Sequence, residues 1–213
     1  MNALLKGTTL VASCLFLSAC ATGPLLEEIP LDADLPPVEK PVWSVGQKQI
    51  TRDNLSGEES SWEVVSVDEL DRVTARSSNG CQWTVPGEWF AGVERWENCG
   101  GSDGTRTLLE SEGTLWPLQV GRESTYRYRL DSSSGNTRVE NIKCQVASQG
   151  RVVVAQGEMD AFRVECVRKD PWATETRTWY WSPDAGEIKF IRHDTKEGLR
   201  TDIDVVSRST AEL

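Results

Sequence analysis

The chain has 213 residues, with 23 Lys or Arg against 33 Asp or Glu and a formal net charge of −10. Nucleic-acid binding rests on basic surfaces that displace counterions, so this balance argues against a nucleic-acid partner. It also sets the body of the protein against anionic lipid surfaces, and a single histidine excludes a histidine-rich metal site.

In chain order the first feature is an export signal. Met1 to Lys6 is short and basic, and Gly7 to Phe16 is an apolar run of secretory length, too short to span a bilayer as a mature helix. It ends in Leu17-Ser18-Ala19-Cys20. These residues resemble the bacterial lipobox: leucine, two small residues, then cysteine. The resemblance implies that residues 1–19 are removed as a signal peptide and that Cys20 carries diacylglycerol, with a palmitate-type chain on the freed amine. Cys20 is then the membrane anchor, because two or three acyl chains hold where one does not. In that family an aspartate after the cysteine favours the inner membrane, so Ala21 implies the outer membrane, with the body in the periplasm.

Residues 20–41 carry Pro24, Pro30, Pro36, Pro37 and Pro41 among five acids. Prolines remove backbone donors and fix extended dihedrals, so the composition predicts a disordered, semi-rigid tether reaching on the order of 60 Å. The folded part is expected from Val42 onward.

From there the pattern is of strands. Tyr126-Arg127-Tyr128-Arg129-Leu130 alternates with the period of a half-buried strand. Thr178 to Trp181 and Glu187 to Ile191 flank the turn composition Ser182-Pro183-Asp184-Ala185-Gly186, and Leu199 to Val206 alternates again. Similar short runs occur at Gly46 to Arg52, Trp62 to Val67, Arg72 to Ser77 and Arg151 to Ala155. Such spacing without helical patterns fits an all-β sandwich, half-barrel or barrel. One helical alternative stands, over Glu88 to Cys99, where Trp89, Val93 and Trp96 share a helical face.

Two halves echo each other. Trp43-Ser44-Val45-Gly46 has a counterpart in Trp116 to Gly121, and Thr105-Arg106-Thr107 recurs as Thr176-Arg177-Thr178. Offsets of roughly 70 to 75 residues suggest a duplicated β unit. The expected fold is therefore all-β, with two similar antiparallel units, each a sandwich or half-barrel, at 42–113 and 114–213. The second half also resembles a family of bacterial envelope domains of unknown function. The matching residues are Val152 to Gly157, Asp160-Ala161-Phe162-Arg163-Val164-Glu165 and Trp179 to Gly186, with Gln156 departing from the usual turn. The resemblance implies a β fold in the periplasm and brings no catalytic residue.

Of six cysteines, Cys14 leaves with the signal and Cys20 takes the lipid. Cys81, Cys99, Cys144 and Cys166 remain, an even set for an oxidising compartment. Pairing Cys81 with Cys99 and Cys144 with Cys166 closes the shortest loops, each worth about 3 kcal/mol by loop entropy. No Cys-x-x-Cys spacing occurs, so a zinc site is not expected.

No nucleophile elbow, phosphate-binding glycine loop or dinucleotide fingerprint is present, and His193 sits in a polar stretch that reads as a hairpin connection. The expectation is a protein that is not an enzyme and needs no cofactor or metal. Nine tryptophans invite a surface role, because exposed indoles stack on sugars and anchor interfaces. Trp172, Trp89 and Trp96 are the candidates, the other six being expected core. The function read from the sequence is a lipid-anchored envelope lipoprotein that meets an envelope protein partner as an assembly or interaction module. A module for an apolar ligand or cell-wall glycan is the alternative, and a glycan-directed enzyme using paired carboxylates comes last.

Overall fold

Glu123 to Ser132 alternates exposed and buried along its length, with Tyr126, Tyr128 and Leu130 turned one way and Arg127 and Arg129 the other. That period of two lets a strand face a core with one side and water with the other. The computed structural model describes residues 28–31, 33–100 and 102–209 and repeats this arrangement in twelve strands. They are β1 (Lys48–Asp53), β2 (Glu59–Val67), β3 (Val73–Ser77), β4 (Gln82–Val85), β5 (Arg95–Cys99) and β6 (Ser102–Gly113), followed by β7 (Glu123–Ser132), β8 (Thr137–Val154), β9 (Gly157–Lys169), β10 (Thr174–Ser182), β11 (Gly186–Asp194) and β12 (Gly198–Ser209). Each pairs antiparallel with its sequence neighbours, and β12 returns to β1, so the sheet closes into one barrel. The predicted signal peptide, residues 1–19, and the predicted lipidation site Cys20 lie outside the described residues.

The all-β expectation stands, but the two-unit sandwich or half-barrel does not. The boundary after residue 113 falls between β6 and β7, yet these strands pair from Gly104 with Ser132 to Gly113 with Ser124. Pairing of β1 with β12 joins the expected halves on their other side. Closure leaves no free strand edge, which two separate open units would expose. Nor do the echoed motifs fall on equivalent strands, since Arg106 lies on β6 and Arg177 on β10. The helical alternative also fails. Only Trp89–Ala91 forms a 3-10 turn, and Arg95–Cys99 is strand β5.

The inside of the barrel is a packed core. Phe90, on the 3-10 turn, dips into it and meets Trp116, Trp179 and Trp181 at ring distances of 5.3, 5.4 and 5.6 Å. Its carbonyl oxygen lies 3.8 Å from the Cys144 sulfur and 3.7 Å from that of Cys166. The connection between β6 and β7 closes the same end, with Leu115 and Leu118 fully buried. A second aromatic layer of Trp43, Trp62 and Trp89 packs beside Val64, Val73 and Val85.

The described part of the proline segment is a strap across this plugged end, which corrects the expectation of a disordered tether there. Ile29 bridges Arg151, Val38 bridges Leu118, and Lys40 pairs with Asp71 at 3.0 Å. Leu35 and Val38 pack on the core, and Gln149 holds Asp34 and the Leu35 amide. Prolines between these apolar residues keep the strap extended and need no donors satisfied, so it can lie on a barrel end.

The outer wall is polar. Thr125, Arg127 and Arg129 of β7 face outward, and so do Asn141 and Lys143 of β8. A barrel in lipid shows an apolar band there instead. One apolar patch on the outside, Val152, Val154, Ala161, Tyr180 and Ile188, is covered because the β8–β9 hairpin arches over β10 and β11. Its tip is held by β12, through Asp204 to the Ala155 amide and the Val205 carbonyl to Gln156. Lys189 beneath it is bracketed by Asp202 and Asp204, so its charge is matched.

Candidate functional site: a cationic mouth

At the end opposite the plug, the inward positions change from aromatic to charged. Arg106 and Arg138 lie opposite Leu130, Arg168 opposite Ile142, and Arg177 opposite Cys166, so strand alternation aims all four at the barrel interior. Arg192 is the neighbour of Arg177 on β11. Between them stand Glu140, opposite Tyr128, and Glu175, opposite Arg168.

The two glutamates divide the arginines. Glu140 is fully buried and accepts from Arg106 Nε at 2.9 Å, Arg138 Nε at 3.0 Å and Arg168 Nη1 at 3.0 Å. Glu175 accepts from Arg177 Nε at 2.6 Å and Arg168 Nη2 at 3.3 Å, while Arg192 stands 3.8 Å away. Exposure of the guanidinium-bearing side chains rises from 8% at Arg106 to 37% at Arg192, so the cluster grades from core to solvent. The plug supports it from below. Val93 O accepts from Arg106 Nη1 at 3.0 Å, and a Cβ added to Gly92 would come within 3.5 Å of Arg106 and 3.4 Å of Arg177. Gly92 also has φ +95°, where a side chain is strained.

Charge inside this mouth is felt by its own members. Burial brings the Arg106 guanidinium down to about 10, with Glu140 opposing and Arg177 and Arg168 adding to the fall. Burial lowers Arg177 as well, resisted by Glu175 and reinforced by Arg168 and Arg192. Burial works to raise Glu175, yet Arg177 and Arg168 outweigh it and hold the carboxyl below its ordinary range. A buried carboxylate stays ionised when several cations donate to it.

Of the tryptophans singled out, two reach this end. Trp172, in the β9–β10 hairpin, is 59% exposed, with the Arg138 guanidinium 5.7 Å from its ring centre. Trp96 faces inward, half-buried, with Arg106 5.6 Å from its ring and Gly104 opposite leaving room for the indole. Trp89 belongs to the plugged end, stacked on Trp43 at 4.6 Å. Cys81–Cys99 ties the β3–β4 turn to the end of β5 near the mouth, and Cys144–Cys166 joins β8 to β9 in the core, the pairing favoured by loop length. His193 is exposed on β11. The arginines and glutamates were not singled out by sequence reasoning. Their signal is there in Arg138-x-Glu140-x-Ile142-x-Cys144 and Glu175-x-Arg177-x-Trp179-x-Trp181, where charges continue a core-facing series.

A surface concavity of about 740 Å³ lies elsewhere, on the outer face of β6 to β9. Its charges are of both signs, with Arg127 paired to Glu110 at 3.0 Å. Exposed pairs of this kind are screened and worth little.

Fold and site together define a closed, side-chain-filled antiparallel barrel with one plugged end and one cationic end. No protein-family model and no curated protein matches the chain. Among solved structures, it is similar to the hypothetical lipoprotein YmcC from Escherichia coli K12, with TM-score 0.49 and 8% identity, covering 78% of this chain and 85% of that one. It is also similar to a protein of Parabacteroides distasonis described provisionally as a lipoprotein, with TM-score 0.42 and 10% identity over 81% of this chain and 97% of that one. A protein of Bacteroides fragilis, described provisionally as exported and YmcC-like in fold, has TM-score 0.42 and 10% identity over 82% and 99%. None is similar enough to carry a function across.

Proposed function

We propose that the chain is a lipid-anchored envelope lipoprotein, held to the outer membrane through Cys20, whose barrel works in the periplasm by binding an envelope partner and not by catalysis. The observation that carries this reading is the strap. From Cys20 to Glu28 the chain can span at most about 30 Å, and Ile29 is already fastened to the plugged end. A lipid on Cys20 therefore keeps the plugged end within about 30 Å of the membrane, which favours that end facing the bilayer and the mouth facing a partner. Binding is favoured over catalysis because the mouth carboxylates Glu140 and Glu175 are engaged by arginines and His193 stands on the outer wall. The ligand-module alternative keeps one support, the exposed Trp172 beside Arg138. Its version with an apolar ligand in a half-barrel trough falls with the half-barrel.

Cells grown with an alkyne palmitate analogue are expected to label the wild-type chain and not Cys20→Ser, and the variant is expected to leave the outer-membrane fraction. Labelling of Cys20→Ser, or its unchanged retention in that fraction, would overturn the anchor. Crosslinking in cells tests the partner: capture through a photo-crosslinker at Trp172 of a discrete envelope protein is expected, and its absence there contradicts the interaction role.

A further inference from the structure

Formal charges inside the mouth do not balance. Arg106, Arg138, Arg168, Arg177 and Arg192 supply five positive charges, and Glu140 and Glu175 two negative ones, with a third from Asp170, 3.5 Å from Arg138. Five less three leaves two. Asp194, beside Glu175 on the neighbouring strand, lies at the exposed hairpin with Lys196 and Arg200 acting on it, so its charge is met outside the mouth. The whole chain carries −10, so this excess is local and runs against the overall charge. Arg168 Nε is buried without a hydrogen-bond acceptor, and Arg192 Nε is buried with Glu175 beyond hydrogen-bond reach at 3.8 Å. Leaving such donors unmet in a low-dielectric site is costly, and a bound anion removes the cost.

We propose that the mouth binds a dianionic phosphoryl group, that of a phosphomonoester, seated against Arg168, Arg177 and Arg192. These three converge on Glu175 from adjacent strands, and an anion beside that carboxylate meets the guanidinium donors it leaves unmet, planar forks of the kind that suit phosphate. A dianion neutralises the residual two charges, whereas a carboxylate or phosphodiester leaves one. Arg192, the most exposed of the five, is the entry contact, and Trp172 offers a flat face at the rim to whatever the phosphate is attached to. The site stands on the geometry of the mouth alone and holds whether or not Cys20 is acylated.

The test is calorimetric titration of the full lipidated protein in neutral detergent at fixed ionic strength. The probes are inorganic phosphate, glycerol 3-phosphate, dimethyl phosphate and dihexanoyl phosphatidic acid. Saturable binding of a phosphomonoester is expected, with dimethyl phosphate at least tenfold weaker. Glycerol 3-phosphate binding as well as the lipid marks a soluble ligand, and phosphatidic acid alone marks a lipid headgroup. Arg192→Gln is expected to weaken binding at least tenfold with an unchanged melting temperature, while Arg95→Gln on the outer wall leaves it unchanged. Absence of saturable binding with every probe overturns the proposal. So does equal affinity for dimethyl phosphate, a reading on the wild-type protein that needs no variant to fold.

Discussion

The two ends of the barrel are filled by opposite means. At the plugged end, inward positions hold Phe90, Trp116, Trp179 and Trp181, and loops and strap cover them. At the mouth, the same strands place Arg168 two residues beyond Cys166, and Glu175 and Arg177 just before Trp179. Alternation alone does not decide what an inward residue is. The decision follows what lies over it: apolar groups where the chain folds back as a lid, charged groups where the barrel faces water. Each end then has its own way to fail.

Glu140→Ala and Phe90→Ala test that difference at its largest, each expected to cost about 3–5 kcal/mol in urea unfolding. The Glu140 loss leaves three arginines without their shared acceptor, so removing Arg106 in the same chain with Arg106→Met is expected to recover part of it. The Phe90 loss comes from a cavity, and Arg106→Met is expected to leave it unrelieved or worse. Equal responses to the second substitution would erase the distinction between the ends.

A smaller effect comes from Glu187, an acid buried in the plugged end. Burial raises Glu187 to about 7 from 4.5, against the pull of Arg208 and a hydrogen bond from Trp89. The folded state then holds this proton to higher pH than the unfolded chain does. Its contribution is complete below about pH 4.5 and is lost as pH rises through about 7, amounting to at most about 3 kcal/mol. Thermal melts from pH 4 to pH 8 are expected to show that decline in wild type and a flatter profile, with higher stability at neutral pH, in Glu187→Gln. An unchanged profile would remove the titrating group from the plugged end.

Least affected is Trp172→Ala, expected within about 0.5 kcal/mol of wild type because the indole is mostly solvated. A larger loss would show Trp172 to be part of the fold and not of the rim.

Much of the wall was readable in the sequence, because Tyr126 to Leu130 and Trp179 to Trp181 alternate cleanly and bracket turns. Closure was not, since it depends on β6 pairing with β7 and β1 with β12, contacts that no local pattern encodes. The strap was missed because its prolines and acids outnumber Ile29, Leu35 and Val38, the residues that fasten it. Strand β5 was hidden by Trp89, Val93 and Trp96, whose helical spacing arises from two different elements. As for the mouth, an arginine in alternation with core residues looks the same as one facing water until the opposite strand is known. The disulfides were the easier case, because short loops limit the choice.

The orientation of the barrel on the proposed Cys20 anchor is the most direct measure of the account. With acceptor-labelled lipids and a donor at Glu69→Cys on the plugged end or Ser134→Cys at the mouth, energy transfer from the vesicle-anchored lipoprotein reports each end's height. The ends are separated by roughly 25 Å. Stronger transfer from residue 69 than from residue 134 is the result expected of a plugged end held at the membrane. Equal transfer from the two positions, or stronger transfer from residue 134, would contradict it.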